Sequence, residues 1–396
     1  VAMLLSNPLA PDPRVDKEAR ALAGAGYEVT VYAWDRACAH ASSEARDGYQ
    51  IQRVRVPSTY GRGAAQIPGL LRYGWRVWER LRHDRPDVVH CHDLDTLPIG
   101  HRISRRLGCR LVFDAHETRY FADARRLRGL LMTTGRALER RLVPRCDLVV
   151  VTNDHQIRKY QRTTKRPPVL VANYPEMGPD APPSCHRTEH HGQALRVGRM
   201  GAVLENLGIE ETTSAIRSLR ADGLDIQYLV AGAGVEDYVG VVRDLAAAHR
   251  EWFTYTGAYE PAELPALYSR VDVTVTAWTA RSVFVQHNTP TKFFESLMYS
   301  VPVITTDIGG VGERIQEAEC GILLPDAESE TITEALRAVF ADRQMLVAMG
   351  RRGRETVAAR WNWNVSATNL VVAYEDLAAV PSVEAAGVGA AVGDGR

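Results

Sequence analysis

Three absences narrow the possibilities before any motif is read. Net charge is the first: 48 lysines and arginines stand against 48 aspartates and glutamates. With no long-range field to gather a nucleic-acid backbone, nucleic acid is not expected as a partner. Long apolar runs are the second, since nothing approaches the roughly 18 consecutive apolar residues of a membrane-crossing helix. Patterned cysteine is the third: Cys38, Cys91, Cys109, Cys146, Cys185 and Cys320 form no CxxC pair, and no His or Cys cluster has zinc spacing. This scatter speaks against disulfides and a structural metal, and it fits a reducing compartment. The opening VAMLLSNP has no basic stretch before it and no small-residue cleavage site after it, so it reads as a strand and not as a signal peptide. A cytoplasmic protein is expected.

What is present is a recurring alternation. At 396 residues the chain exceeds one ordinary core, which sets two domains as the prior. Short β-branched runs, VAMLL, EVTVYAW, IQRVRV, PDVVHC, RLVFD, DLVVVT and PVLVAN, are separated by stretches of helical period such as RVDKEARALAGAG. Continuous apolar strands alternating with helices predict a parallel sheet covered on both faces. The pattern stops at Asn173-Tyr174-Pro175, gives way to the proline-rich EMGPDAPPSCHRTEHHGQ, and resumes as LRVGRM, IQYLVAG, WFTYTG, DVTVTA, PVITT and GILLP. The expected organisation is an α/β fold of two doubly wound Rossmann-like domains, 1–175 and 194–360, facing a cleft and joined by a linker over 176–193. A helix over 361–378 is expected to pack back on the first domain, and 379–396 to form a disordered tail. Sheets of this kind bind ligands at the carboxyl ends of their strands.

Chemistry concentrates in HNTPTKFFESLMYSVPVITTD, His287 to Asp307. Asn288 to Thr291 ends a loop and opens a helix over Phe293 to Tyr299, with Thr289 reading as its N-cap and Pro290 at the first helical position. Such a helix start offers N–H groups and the positive end of a dipole to a diphosphate. Lys292 is unfavourable in that first turn unless it holds an anion. Glu295, one turn on, suits an acceptor for sugar hydroxyls such as ribose O2 and O3. The ordinary alternative is a solvated i,i+3 ion pair.

This stretch resembles the donor-binding motif of the GT-B glycosyltransferases of family 4, in the branch that writes proline, any residue, lysine, any residue, phenylalanine, glutamate, then a small-residue turn and PVI. The likeness spans most of the chain: SNPLAPDPRVDKEARALAGAGYEVTVYAW, DVVHCHDLDTLPIG, LVFDAHET, DLVVVTND and FTYTGAYEPAELPALYSRVDVTV are similar to successive strand ends and helices of that family. The resemblance implies retaining transfer of a sugar from a nucleoside diphosphate sugar, UDP ahead of GDP, to an acceptor hydroxyl. The acceptor, a saccharide, a lipid carrier or a secondary metabolite, would be held by the N-terminal domain, and no metal or other cofactor is expected. By the same resemblance Glu295 matches the ribose-binding glutamate, Thr291 and Lys292 the diphosphate contacts, Tyr259 the base pocket, and His116 the histidine that hydrogen-bonds the transferred sugar. Asn288 and Gly201 fall in the donor-binding stretches.

Two positions depart from the family. Its second glutamate, eight residues before Glu295, is replaced here by His287, and the cation that usually precedes the second glycine of GAVLENLGIEE is Leu207. Losing a cation aimed at a leaving diphosphate costs barrier height unless Lys292 or Arg199 substitutes. Two alternatives therefore stand beside the transferase: a pseudo-glycosyltransferase that binds nucleotide or a protein partner, and a UDP-sugar epimerase.

Other residues are read as acceptor-side. Alternation places His90 and His92 on one face, with no third metal ligand evident. Asp93 reads as the cap of the helix TLPIGHRISRRL, and Thr152 and Asn153 lie at another strand end. The glycines of AGAGVEDY lack the third glycine of a dinucleotide fingerprint, and instead allow a close backbone approach or a turn. Finally, GLLRYGWRVWERLRHDRP and RRLRGLLMTTGRALERRLVPR interleave arginine with leucine and tryptophan. They read first as amphipathic helices covering the sheet with a solvated basic face, and second as peripheral contacts with the inner face of a membrane.

Overall fold

The computed structural model describes residues 1–10, 12–58, 63–116, 128–177, 194–279 and 290–379. Its contacts divide the chain into two compact units, Val1–Asn173 with the segment from Ser366 onward, and Tyr174–Val365. The linker expected over 176–193 lies outside the described residues from 178 on, as does the tail from 380, while Ala379 closes the last helix.

In the first unit β1 (Ala2–Leu5), β2 (Thr30–Asp35), β3 (Ser43–Arg46), β4 (Tyr49–Arg55), β5 (Val88–His92), β6 (Arg110–Ala115), β7 (Leu148–Val151) and β8 (Val169–Leu170) form one sheet, in the order β3-β4-β2-β1-β5-β6-β7-β8. Between them run α1 (Pro13–Gly24), α2 (Ile67–Asp84), α3 (Asp93–Leu107), α4 (Arg128–Leu142) and α5 (Asp154–Tyr160). The second unit contains β9 (Leu195–Met200), α6 (Ile209–Ala221), β10 (Ile226–Ala231), α7 (Glu236–Ala248), β11 (Phe253–Tyr255), α8 (Leu264–Ser269), β12 (Val273–Thr276), α9 (Thr291–Met298), β13 (Val303–Thr306), α10 (Val311–Ala318), β14 (Gly321–Leu324), α11 (Ser329–Ala341) and α12 (Arg343–Ala359). The last helix, α13 (Trp363–Ala379), belongs to the first unit from Ser366.

All pairings in the first sheet are parallel except β3 with β4. β3 is absent from the expected strands because SEAR has no apolar face, its residues alternating between exposed and half-buried. The Asp47-Gly48 turn forms it: both residues have positive φ, 40° and 88°, as a two-residue hairpin loop requires.

The strand order reverses between β1 and β5, and this switch point organises the unit. Asp12 starts α1 by accepting the Val15 N–H, with Pro13 in the first turn. Register pairs Met3 with His90 and His92 with Asp114. Because strand side chains alternate, His90, His92 and Asp114 share one face while Cys91, Phe113 and Ala115 share the other. On the second face α2 and α3 add Tyr73, Val77, Leu94 and Leu97 to a continuous apolar core. The first face is polar at this point, and α1 and α13 supply its partners. α13 is tied down nearby by Ser366 Oγ on Ala172 O (2.9 Å) and Asn369 Nδ2 on Leu170 O (3.0 Å).

The second sheet is wholly parallel, in the order β11-β10-β9-β12-β13-β14, reversing between β9 and β12. Its core gathers Val197, Ile216, Tyr228, Val230, Val273 and Leu336 among others. After β9 and β10 the chain bends so tightly that a Cβ on Gly232 would stand 1.7 Å from Gly201 O, and one on Gly234 1.7 Å from Val203 O. Close approach of backbone to backbone is therefore what the glycines of AGAGVEDY provide. At α9 the boundary moves from expectation: Pro290 is the N-cap and not the first helical residue, and Thr291 opens the helix. Thr289 lies outside the described residues.

Candidate active site

In the first unit the polar face of the switch point holds a nearly closed set of charges. Asp114, fully buried, receives Arg14 Nη2 at 2.9 Å and lies 2.6 Å from His116 Nε2 and 3.3 Å from His92 Nδ1. Arg14 also reaches Glu18, one helical turn along α1, at 2.8 Å, and donates to Val171 O at 2.7 Å. His92 and His116 approach at 3.1 Å, and the rings of His90 and His92 stack at 4.5 Å. His90 Nδ1 meets the Tyr374 hydroxyl of α13 at 2.7 Å.

The expectation for Asp93 is corrected. α3 has no side-chain cap; the Asp93 carboxylate instead accepts the His116 N–H at 3.1 Å and lies 3.6 Å from His116 Nδ1. His116 is thus held from both sides by carboxylates. Thr152 and Asn153 serve a brace next to it: Asn153 caps α5 through the Gln156 N–H (3.0 Å), Thr152 N–H binds Gln156 Oε1 (2.8 Å), and Gln156 Nε2 donates to Ala115 O (3.0 Å).

The electrostatics follow from that geometry. Burial alone would lower the His116 imidazolium, but Asp114 and then Asp93 reverse it and raise the pKa to about 9. Burial alone would raise Asp114, yet Arg14 and His116 hold it well below the usual carboxylate range. Burial drives His90 and His92 down, so both are neutral. Burial pushes Glu18 up to about 8, Arg14 opposing and Asp114 adding. At neutral pH Glu18 therefore carries a proton.

Both raised groups favour their protonated forms in the fold. The His116 contribution is complete below its ordinary 6.5 and is lost as pH climbs through about 9; the Glu18 contribution is lost between 4.5 and about 8. Above about pH 6.5, clear of the range in which the lowered His90 and His92 act in the opposite direction, the midpoint of thermal unfolding is thus expected to fall as pH rises toward about 9. Glu18→Gln, neutral at every pH, removes the earlier part of that slope. Melts at a series of pH values on both proteins check this, and superimposable slopes would refute it.

Ligand atoms of Glu18, His92, Asp114 and His116 lie within 4.8 Å of one another, a set able to surround a metal ion, so the missing third ligand for His92 does exist. Arg14, however, already contacts both carboxylates of that set and supplies the counter-charge a metal would bring.

The second unit assembles the donor-side residues at the carboxyl ends of β9, β10 and β11. Lys292 and Glu295 pair, Nζ to Oε1 at 2.8 Å and to Oε2 at 2.7 Å. The ordinary ion-pair reading therefore describes a real contact, but not a solvated one: the side chains are 32% and 14% exposed. Burial alone would lower the Lys292 ammonium; Glu295 outweighs it, and the pKa is raised. Tyr268, fully buried and stacked on Tyr299 at 4.7 Å, donates to Glu295 Oε1 at 3.1 Å. Lys292 Nζ lies 5.4 Å above the Tyr259 ring, and its stem fills the space that a Cβ on Gly201 would need. Thr291 opens the helix that carries both charges.

Arg199 is buried at 4% exposure and donates to Ala202 O at 3.0 Å, with its Nε unpartnered. No carboxylate pairs with it among the described residues, and burial lowers its pKa. Tyr259 influences both Arg199 and Lys292. Leu207, where the family resemblance leads one to expect a cation, is an apolar side chain 3% exposed. His287 and Asn288 lie outside the described residues.

Sequence reading missed Arg14, Glu18, Asp114, Tyr374 and Tyr268. Arg14 and Glu18 stood one helical turn apart after the first strand, and Asp114 two residues before His116 on the same strand face, so those three carried a periodic signal. Tyr374 and Tyr268 reach their partners through long-range packing and carried none.

Comparison with known proteins bears on this geometry. A glycosyl transferase 4-like domain matches residues 11–175, and a glycosyl transferases group 1 domain matches 192–342. The GDP-mannose-dependent alpha-(1-6)-phosphatidylinositol monomannoside mannosyltransferase of Mycobacterium tuberculosis is 24% identical over 365 residues, 89% of this chain and 90% of its own. The alpha-D-kanosaminyltransferase of Streptomyces kanamyceticus is 22% identical, over 80% and 84% of the two chains. Among solved structures, sucrose-phosphate synthase from Thermosynechococcus elongatus superposes with a TM-score of 0.74 at 18% identity, covering 96% of this chain and 99% of its own. The chain belongs to the GT-B glycosyltransferases, with a glycosyl transferase 4-like domain followed by a glycosyl transferases group 1 domain.

Proposed function

We propose that this glycosyltransferase moves a sugar from a nucleoside diphosphate sugar to a hydroxyl of a saccharide or lipid-carried acceptor, with retention at the anomeric carbon and without a metal. The observation that carries the donor half is Arg199, a buried cation with no carboxylate partner among the described residues. An uncompensated buried charge costs several kcal/mol, on the order of the desolvation of one ion. The diphosphate of a nucleotide sugar is the anion that would offset it, with Lys292 turning from Glu295 to share the load. Arg199 thereby takes the place that Leu207 leaves without charge.

His116 is assigned to the transferred sugar as a hydrogen-bond donor through Nδ1, which stands 3.6 Å from Asp93 and outside hydrogen-bond reach, while Nε2 is taken by Asp114 at 2.6 Å and the two carboxylates keep the ring cationic. It is a poor base for the same reason, and Asp114 is already engaged by Arg14 and His116. The leaving diphosphate then accepts the acceptor's proton, which suits a retaining transfer. The relatives' names include transfer to a phosphatidylinositol monomannoside, in line with a lipid-carried hydroxyl as acceptor here.

Calorimetric titration with UDP, GDP, ADP and dTDP tests the donor half. The family resemblance implies UDP ahead of GDP, while the M. tuberculosis relative is named GDP-mannose-dependent, so both belong in the panel. One diphosphate is expected to bind near micromolar, about −8 kcal/mol, and at least tenfold more tightly than the rest. Failure of all four to bind would overturn the reading.

A further inference from the structure

α2 covers the first sheet with one face and presents a second apolar face to solvent. Gly69, Tyr73, Gly74, Val77 and Leu81 are buried. On the opposite side Ile67, Leu71 and Trp75 are 48%, 65% and 62% exposed. They stand four residues apart, so they form one stripe along the helix. Half of the exposed large apolar side chains among the described residues are on this one helix. α2 thus covers the sheet and keeps a solvated basic face, as the first reading expected, and in addition leaves an apolar stripe in water.

The charge beside the stripe has one sign. α2 carries Arg72, Arg76, Arg80 and Arg82 against Glu79 and Asp84. Both acids are engaged, Glu79 with Arg82 at 3.3 Å and Asp84 as acceptor of the Tyr32 hydroxyl at 2.8 Å. Arg72 and Arg76, one residue after Leu71 and Trp75, are exposed, Arg76 reaching the Arg55 carbonyl with one nitrogen. The neighbouring α3, which packs against α2 and α4, exposes Arg102, Arg105 and Arg106 on its C-terminal half with no acid among them.

We propose that this face of the first unit docks on the surface of an anionic phospholipid bilayer, with Ile67, Leu71 and Trp75 entering the acyl boundary and the flanking arginines meeting phosphates. An apolar stripe flanked by arginines is what an interfacial helix needs: the stripe is withdrawn from water while the guanidinium groups stay at headgroup level. A globular protein partner would match the stripe but not the one-sided charge. No described helix is long and apolar enough to cross a membrane. A donor enzyme held there would meet a lipid-carried acceptor without extracting it from the bilayer.

Co-sedimentation of the full chain with phosphatidylcholine vesicles, with and without phosphatidylglycerol, tests this without any turnover. At least tenfold stronger partitioning into the anionic vesicles is expected, weakening with added salt. Leu71→Ser/Trp75→Ser should lower it tenfold or more, and Arg72→Gln/Arg76→Gln by about fivefold for each charge near the surface. Because all four side chains are exposed, thermal unfolding and nucleotide affinity should stay as in the wild type, which separates failure here from failure of the donor reading. Equal partitioning into neutral vesicles, or none into either, would overturn the proposal. So would a change in oligomeric state of Leu71→Ser/Trp75→Ser without vesicle binding, which would make the stripe a protein interface.

Discussion

Asp114→Ala is expected to reduce transfer by about 10²- to 10³-fold, the scale on which removing one preorganised polar group from a reacting site is felt, and to weaken the fold in the same stroke. The carboxylate is the hub of the first unit: Arg14 at 2.9 Å, His116 at 2.6 Å and His92 at 3.3 Å all converge on it inside the protein. Deleting it leaves Arg14 and His116 buried with one carboxylate fewer, and Glu18, still 2.8 Å from Arg14, loses the Asp114 contribution that raises its pKa. Stranding one partner of a buried ion pair typically costs about 3–5 kcal/mol, a loss that thermal or urea unfolding will read directly.

The catalytic loss has a separate signature. Without Asp114, burial dominates at His116 and its pKa falls from about 9, with the more distant Asp93 opposing. The imidazolium then loses its charge at a lower pH than in the wild type. Activity of the variant should partly recover as pH is lowered, whereas the wild type should keep its rate until pH approaches about 9. Asp114→Asn, which keeps the shape, should retain more stability than Asp114→Ala but show the same displaced pH profile. A variant with reduced stability and an unshifted profile would make Asp114 a structural residue only.

How far the sequence alone led is clearest at these residues. The six strands of the second unit were all legible, because each is a short run rich in apolar and β-branched residues, the inner ones buried and the edge strands β11 and β14 partly so. β3 was not: SEAR shows no apolar alternation, and only the Asp47-Gly48 pair announced the hairpin. At the site, His92 and His116 were visible as chemistry-bearing residues at strand ends, but Asp114 looked like one more strand residue. Its importance depends on register, His92 opposite Asp114, and on a helix laid over both. Tyr374 was further out of reach, 284 positions from His90, joined to it only because α13 packs on the first unit. Periodicity reports which face is buried, and pairing between elements distant in the chain is not a periodic property.

Glu295→Ala should weaken binding of the nucleoside diphosphate selected by the wild-type titration about tenfold or more, at least ~1.4 kcal/mol. Two roles for this carboxylate would produce that loss. In one it accepts ribose hydroxyls; in the other it merely holds Lys292, to which it binds through both oxygens at 2.7 and 2.8 Å. Inorganic pyrophosphate separates them, since it carries the charge and lacks the ribose. If Glu295 serves the ribose, its removal releases Lys292 from a partly buried pair, and pyrophosphate should bind as well as before or more tightly. If Glu295 only positions Lys292, pyrophosphate should lose as much affinity as the nucleotide. Lys292→Ala should weaken both ligands in either case, which confirms that the diphosphate lies at α9. Tyr268→Phe, which removes the hydroxyl bound to Glu295 at 3.1 Å and nothing else, should weaken the nucleotide less than Glu295→Ala and leave pyrophosphate unchanged. Opposite responses of the two ligands to Glu295→Ala are thus the expected result, and parallel losses would move the ribose contact to another residue.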